Sequence, residues 1–302
     1  MKSRIGSNLV MMDLPVDESY YVERNYIRLL EERYSRYAGL IGHLEFSHVA
    51  KVTPDQAVRI GDTARKNGLE PWSIHSEHLN VGDTVEGYLA IQKHEAEVCA
   101  ALGCRVMVCH LPNLLPYVDF ERDLDVIGKV AELAHANGVR LAVETCGYPD
   151  GEHAFLSDAE LVIRIVETLD RPDVGINLDS GHCLIGQTEK DPAILEKILS
   201  GEIGQWIPSL AERIGKKLFT THLQDNFGLN DDHQAPGFGY IDWEKLVPAI
   251  LKTGYQGPLM MEQTGMGVKS RRTVPQLRRF PLEKELVFAA SYLDFLLKQQ
   301  LS

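Results

Sequence analysis

Short apolar runs rich in β-branched residues recur along the chain at a steady interval. They read RIGSNLVM, GHLEFS, PWSIHSEH, RVMVCHLP, RLAVETC, VGINLDSGH, LFTTHLQDN and PLMMEQ, and begin near residues 4, 42, 71, 105, 140, 174, 218 and 258. Spacings of roughly 30–45 residues suit a strand, a loop, a helix and a second loop. Between the runs, apolar positions repeat with a helical period over 53–68, 84–102, 120–137, 158–169, 192–215, 242–253 and 282–299. The punctuation agrees. Thr53 offers an N-cap with Pro54 at the first helical position, and NGL, NGV and TGY each supply a glycine stop ahead of the next strand. Strands that alternate with helices pair in parallel, because a parallel connection needs a crossover long enough to hold a helix. Eight such units predict an α/β fold, a closed (β/α)8 TIM barrel with outer helices, filling residues 1–302 as a single domain. An open doubly wound sheet is the rival architecture, and the missing Gly-rich first turn speaks against it.

Composition narrows the class. The chain is 44% hydrophobic and 25% charged, and it holds no run of apolar residues long enough to span a bilayer, so a soluble globular protein with no membrane partner is expected. The start lacks a secretory pattern, and the five cysteines form no close CxxC pair. Cytoplasmic residence follows as the expectation, with Cys99, Cys104, Cys109, Cys146 and Cys183 read as small buried packers. A net charge of -12 argues against a nucleic-acid partner, since tracking phosphates requires a basic face.

The acidic residue in LAVETCG raises the first chemical question. Glu144 ends an apolar run, where an unpaired charge is costly. Catalytic groups of a barrel sit at the carboxyl ends of its strands. Those ends here carry His75 and His78, His110, Glu144, Asp179 and His182, His222 and Asp225, and Glu262. With His233 on an adjoining loop, six of the eleven histidines fall at this one face. Glu144, Asp179 and Glu262 converging on one mouth would repel one another, and a divalent cation resolves the conflict. With His222 they make a mixed oxygen and nitrogen set suited to Mn, Mg, Co or Zn.

Several chemistries are disfavoured by what is missing. No strand end carries a lysine for Schiff-base catalysis, and no G-x-G-x-x-G or phosphate-cradling G-x-x-x-x-G-K is present. HSEH at 75–78 lacks the H-E-x-x-H spacing, and Ser180 in NLDSGH sits in no nucleophile elbow.

LAVETCG, INLDSGH, THLQDN, DDHQAPGFGYIDW and LMMEQ, in this order, resemble the xylose isomerase-like superfamily of sugar isomerases and epimerases, which also contains the type IV apurinic endonucleases. The resemblance runs from HLEFS to MMEQ. It implies a metal on Glu144, Asp179, His222 and Glu262, with His182 touching substrate. The implied reaction is proton transfer next to a carbonyl of a sugar or sugar phosphate through a metal-stabilised enediolate, with Glu144 and Glu262 as the catalytic pair. His75, His110, Asp150, His182 and His233 are expected to contact substrate, and Glu152 is a further candidate near Asp150.

The endonuclease branch implies a three-metal site instead, for which His75, His110, His182, Asp231 and His233 are candidate additional ligands. A dehydratase or lyase, and a non-catalytic sugar-binding protein, are the remaining readings. One basic segment, GVKSRRTVPQLRRF at 267–280, follows the last strand. Its Lys269, Arg271, Arg272, Arg278 and Arg279 could draw in a phosphorylated or acidic sugar, and homo-oligomerisation stays open.

Overall fold

The computed structural model of the chain describes residues 3–9, 21–114, 119–145, 147–148, 156–157, 159–190, 193, 196–197, 200, 206–228, 231–262 and 282–300. Its strands are β1 (Ile5–Asn8), β2 (His43–Ser47), β3 (Glu70–His75), β4 (Val106–Cys109), β5 (Arg140–Glu144), β6 (Gly147–Tyr148), β7 (Leu156–Ser157), β8 (Val174–Asp179), β9 (Leu218–His222) and β10 (Leu259–Met261). Eight of them form one sheet in the order β10-β1-β2-β3-β4-β5-β8-β9, with every pairing parallel. The two ends of that order meet through a parallel bridge between Leu223 and Met261, where Leu223 N donates to Met260 O at 2.8 Å. The sheet therefore closes on itself as a (β/α)8 TIM barrel, and the eight apolar runs are its eight staves.

Helices α1 (Glu23–Glu32), α2 (Pro54–Lys66), α3 (Val85–Leu102), α4 (Phe120–Ala136), α5 (Ala159–Leu169), α6 (Ser180–Lys190), α7 (Trp206–Ile214), α8 (Trp243–Lys252) and α9 (Leu282–Gln299) complete the pattern. Their starts follow local chemistry. Thr53 and Gln56 form a reciprocal capping box ahead of α2, and the side chains of Thr84, Asp119 and Asp242 each accept from a backbone N–H three residues on. Gly103 ends α3 in the left-handed region at φ 82°. The core lies between the strands and these helices, with Ile60 and Ala64 of α2, Val98 and Leu102 of α3, and Ile127 and Val130 of α4 all buried in it. Cys99, Cys104, Cys109 and Cys183 are buried and free, as packers should be, while Cys146 lies outside the described residues.

Four elements were not anticipated by periodicity. Helix α1 buries only Tyr26, Leu29 and Leu30 beneath a strongly charged surface, so its apolar stripe is thin. Helix α6 begins on the residue after β8 with no intervening loop, and its start reads as a turn because it contains Ser180 and Gly181. The two-residue strands β6 and β7 pair antiparallel as a small hairpin beyond β5. The predicted helix over 192–215 is seen as α7 at its carboxyl-terminal part, and most of 192–205 lies outside the described residues. Among the described residues, no helix is long and apolar enough to cross a membrane.

Candidate metal centre

Successive side chains of a strand point to opposite faces, so residues two apart share the barrel interior. Val108 and His110, Ala142 and Glu144, Asn177 and Asp179, Thr220 and His222, and Met260 and Glu262 are such pairs. The first of each pair is buried inside the barrel or beside it, and the second stands one layer higher at the mouth. Glu144, Asp179 and His222 have no exposed surface, and Glu262 is buried as well.

These four bring one ligand atom each to within 4.8 Å of one another. Nδ1 of His222 stands 2.9 Å from Glu144 Oε2 and 3.3 Å from Glu262 Oε2. Every ion contact of Glu144, Asp179 and Glu262 among the described residues is with an imidazole, and none is with an arginine or lysine. Glu144 collects four of them, from His75 at 3.3 Å, His110 at 3.5 Å, His182 at 3.1 Å and His222, and also accepts from Asn177 Nδ2 at 3.0 Å.

The titration of the cluster follows from this geometry. Burial works to raise the Glu144 carboxyl, but His222 and His110 outweigh it and hold the group well below the usual carboxylate range. Burial likewise opposes ionisation of Glu262, and His222 and His233 hold it low. Asp179 has less cationic support: burial, helped by Glu144 and Glu262 and opposed by His182, pushes it up to about 7. Burial disfavours a charged His222, yet Glu45, Glu262 and Glu144 raise it well above the usual imidazole value.

A divalent cation fits this set on the structure's own terms. Among the described residues, Glu144 Oε1, Glu262 Oε2 and His222 Nδ1 are buried and make no hydrogen bond, which is unusual for native polar atoms. They lie where a cation would need donors. Carboxylate oxygens with one imidazole suit Mn, Mg, Co or Zn.

Residues around the four are held by the loops that follow the strands. Asp179 ends β8 and caps α6, its Oδ1 accepting from His182 N at 2.7 Å, which sets the His182 ring over the site. A Cβ at Gly181 would displace the Gln224 carboxamide, whose Nε2 donates to Asp179 Oδ2 and Asp231 Oδ1, so glycine there keeps those contacts. Nε2 of His182 lies 3.3 Å from Asp231 Oδ1, and Nε2 of His233 lies 3.0 Å from the same oxygen. His182, Asp231 and His233 thus form a second possible ligand set, and His75, His78 and His110 a third. His233 adopts a left-handed φ of 45°, a strained conformation of the kind concentrated at functional sites. Asp231 is held far below its usual value against burial by His182 and His233, and His233 is raised to about 9 by Glu262 and Asp231 despite burial.

Asp225, a strand-end candidate from sequence, does not join the cluster. It accepts from the backbone N–H groups of Asn226, Gly237 and Ile241 and from Trp243 Nε1 at 2.8 Å, and so organises the loop that presents Asp231 and His233. His78 stacks on His110 with ring centroids 3.8 Å apart, and the His110 charge together with burial drops its imidazole to about 2. Asp150, Glu152 and the basic residues Lys269, Arg271, Arg272, Arg278 and Arg279 lie outside the described residues.

Sequence reasoning missed Glu45. This β2 carboxylate is completely buried and contacts His222 Nε2 at 2.8 Å. HLEFS carries the same signal as LAVETCG, an acid within an apolar run.

The model of the family described as xylose isomerase-like TIM barrel matches residues 39–283. Over 182 residues the chain is 31% identical to the uncharacterized protein y4fM of Sinorhizobium fredii, covering 56% of this chain and 50% of that one. It is 26% identical over 181 residues to the inosose isomerase of Bacillus subtilis, covering 55% of this chain and 56% of that enzyme. The chain thus spans about half the length of these curated relatives. Among solved structures, D-psicose 3-epimerase with D-tagatose from Clostridium cellulolyticum H10 superposes with a TM-score of 0.64 at 17% identity, covering 98% of this chain and 99% of that one. At that identity the likeness is one of fold.

Proposed function

The chain belongs to the xylose isomerase-like TIM barrel family, and from that premise we propose that it is a metal-dependent sugar isomerase or epimerase. In this reading one barrel domain over 1–302 takes a sugar or sugar phosphate at its mouth and moves a proton next to the carbonyl. The observation that carries it is the convergence of Glu144, Asp179, His222 and Glu262 on one buried point, where Glu144 Oε1, Glu262 Oε2 and His222 Nδ1 make no hydrogen bond among the described residues. The inosose isomerase relative and the psicose epimerase fold support the same class.

Glu144, Asp179, His222 and Glu262 would hold the cation. A divalent metal there supplies Lewis-acid polarisation of the substrate carbonyl. Glu144 and Glu262 reach the shared point from β5 and from the end of β10, and both are held ionised, as proton acceptors must be. One carboxylate removes the proton from the carbon beside the carbonyl, and the other returns a proton that it must first take up from solvent. Return to the opposite face of that carbon inverts it, and return to the neighbouring carbon exchanges aldose for ketose. Loss of a hydroxyl in place of the second protonation would make the same site a dehydratase. His75, His110, His182 and His233 border the point and would donate to sugar hydroxyls, and Asp150 is a further substrate contact in this reading.

A second reading has its own support. His182, Asp231 and His233 on one side, and His75 and His110 beside Glu144 on the other, are the additional sets a three-metal phosphodiesterase would use. One experiment separates the two. The Mn-loaded protein is incubated in heavy water with ketoses, aldoses and their phosphates, and in parallel with abasic DNA. Deuterium appearing on a carbon next to the carbonyl supports the isomerase or epimerase. Incision of abasic DNA with no exchange into any sugar selects the phosphodiesterase and overturns the primary reading.

A further inference from the structure

Strand β2 delivers to the barrel interior a carboxylate for which proton transfer has no task. Glu45 has no exposed surface, and a charge so placed is costly unless paired. Its two oxygens have different neighbours. Oε2 accepts from Ser73 Oγ at 2.7 Å, and Oε1 stands 2.8 Å from His222 Nε2. The opposite side of the same ring faces the ligand cluster, with Nδ1 2.9 Å from Glu144 Oε2. Among the described residues neither Glu45 Oε1 nor His222 Nε2 makes a hydrogen bond of good angle, and the 2.8 Å approach between them is a close charge contact.

The backbone is shaped to make this contact. Pairing of β2 with β3 runs His43 to Glu70 and Leu44 to Pro71, then slips, so that Glu45 lies opposite Ser73 and Trp72 becomes the extra residue. Pairing of β8 with β9 slips in the same way, Ile176 to Leu218 and then Asn177 to Thr220, leaving Phe219 extra. Irregularities of this kind re-aim side chains and concentrate beside active sites. Here the slips lie in the two strand pairs that bring Ser73 to Glu45 and His222 to its place above Thr220. The extra residues Trp72 and Phe219 belong to one apolar cluster inside the barrel, and Trp72 Nε1 donates to Thr220 Oγ1 at 3.2 Å.

A ligating imidazole carries its proton on the nitrogen away from the cation, and a carboxylate on that N–H fixes the ring and increases the basicity of the ligating nitrogen. We propose that Glu45 is a positioning residue of the metal centre: from beneath the site it keeps the proton of His222 on Nε2, aims Nδ1 at the point shared by Glu144, Asp179 and Glu262, and is itself held by Ser73. The inference rests on the reading of these four residues as metal ligands.

Two variants test it, Glu45→Gln, which keeps an acceptor oxygen but loses the charge, and Glu45→Met, which loses both. Mn2+ titration of the purified full chain, followed by electron paramagnetic resonance, reads affinity without turnover. Glu45→Met is expected to weaken Mn2+ binding roughly 10–100-fold and Glu45→Gln less. With Zn2+ bound, 15N NMR of labelled histidine should place the His222 proton on Nε2 in the wild type. A purely structural role would instead lower the melting temperature of the metal-free protein and leave affinity unchanged. Wild-type binding with equal affinity in both variants overturns this inference alone. A wild-type protein that binds no Mn2+ overturns the metal reading, and this inference with it.

Discussion

Two levels of the same barrel, one below the other, have opposite characters. The lower one holds Trp72, Val106, Val108, Ala142, Phe219 and Met260, an apolar cluster inside the sheet and separate from the main core. Arg105 and Arg140 stack over Trp72 and Phe219 at its rim, at 5.8 and 4.5 Å from the ring centroids. The layer above gathers Glu144, Asp179, His222 and Glu262 with the flanking imidazoles, equally buried and almost wholly ionisable. Apolar burial contributes about 25 cal/mol per Å² to folding, whereas buried charges break even at best against apolar replacements. The lower layer is there for the fold. The upper layer exists at the expense of stability, which makes sense if ligand binding is its purpose.

Substitutions that separate the layers should have separable effects. The largest is expected on chemistry: Glu262→Gln should slow deuterium exchange into substrate by about 10²–10⁴-fold, the usual loss for a general acid or base. A variant with unreduced exchange would remove Glu262 from the reaction. Below it in the barrel, Met260→Ala should lower unfolding free energy by about 2–5 kcal/mol in denaturant titration, with the metal content per chain unchanged. Loss of metal at equal stability would contradict the division of labour.

Outside both layers, Glu95 on α3 provides a pH control. Burial pushes its carboxyl from 4.5 to about 8, so the folded protein keeps a proton that the unfolded chain releases. Stability should therefore fall as pH rises through that window, and Glu95→Gln should flatten the dependence, gaining on the order of 1–3 kcal/mol at pH 8. Thermal melts from pH 5 to 8 measure it, and parallel curves for variant and wild type would refute it. The smallest effect concerns metal uptake. Asp179, raised to about 7 mainly by burial, must lose its proton to ligate. Apparent affinity should drop as pH falls below that value and keep rising above it, because His222, held well above the usual imidazole value, must lose a proton as well. Calorimetry in buffers of differing ionisation enthalpy would count the protons released, and an affinity independent of pH would refute it.

The barrel was legible because its signal is repeated eight times, and because the boundaries of helices such as α2 are written in Thr53, Pro54 and Gln56. The convergence of Glu144, Asp179, His222 and Glu262 was legible for a related reason: an ionisable residue ending an apolar barrel strand is carried to the mouth. Glu45 obeys the same rule but sits mid-strand in HLEFS, and its inward aim depends on a register slip that no periodicity displays. Helix α6 was hidden because Asp179 is at once the last strand residue and the helix cap. Asp225 looked equal to Asp179 from its strand-end position. Its oxygens are taken by loop N–H groups, a difference made by backbone from residues 226–241.

The central claim is that Glu144, Asp179, His222 and Glu262 hold a divalent cation. Its most direct measurement is metal analysis of the purified chain, followed by stripping and Mn2+ titration of wild type and Glu144→Gln. The account predicts at least one tightly held ion per wild-type chain, recovered on titration, and a severe loss of affinity in the variant. A wild-type chain that takes up no divalent ion, or a variant that binds it equally well, would contradict it.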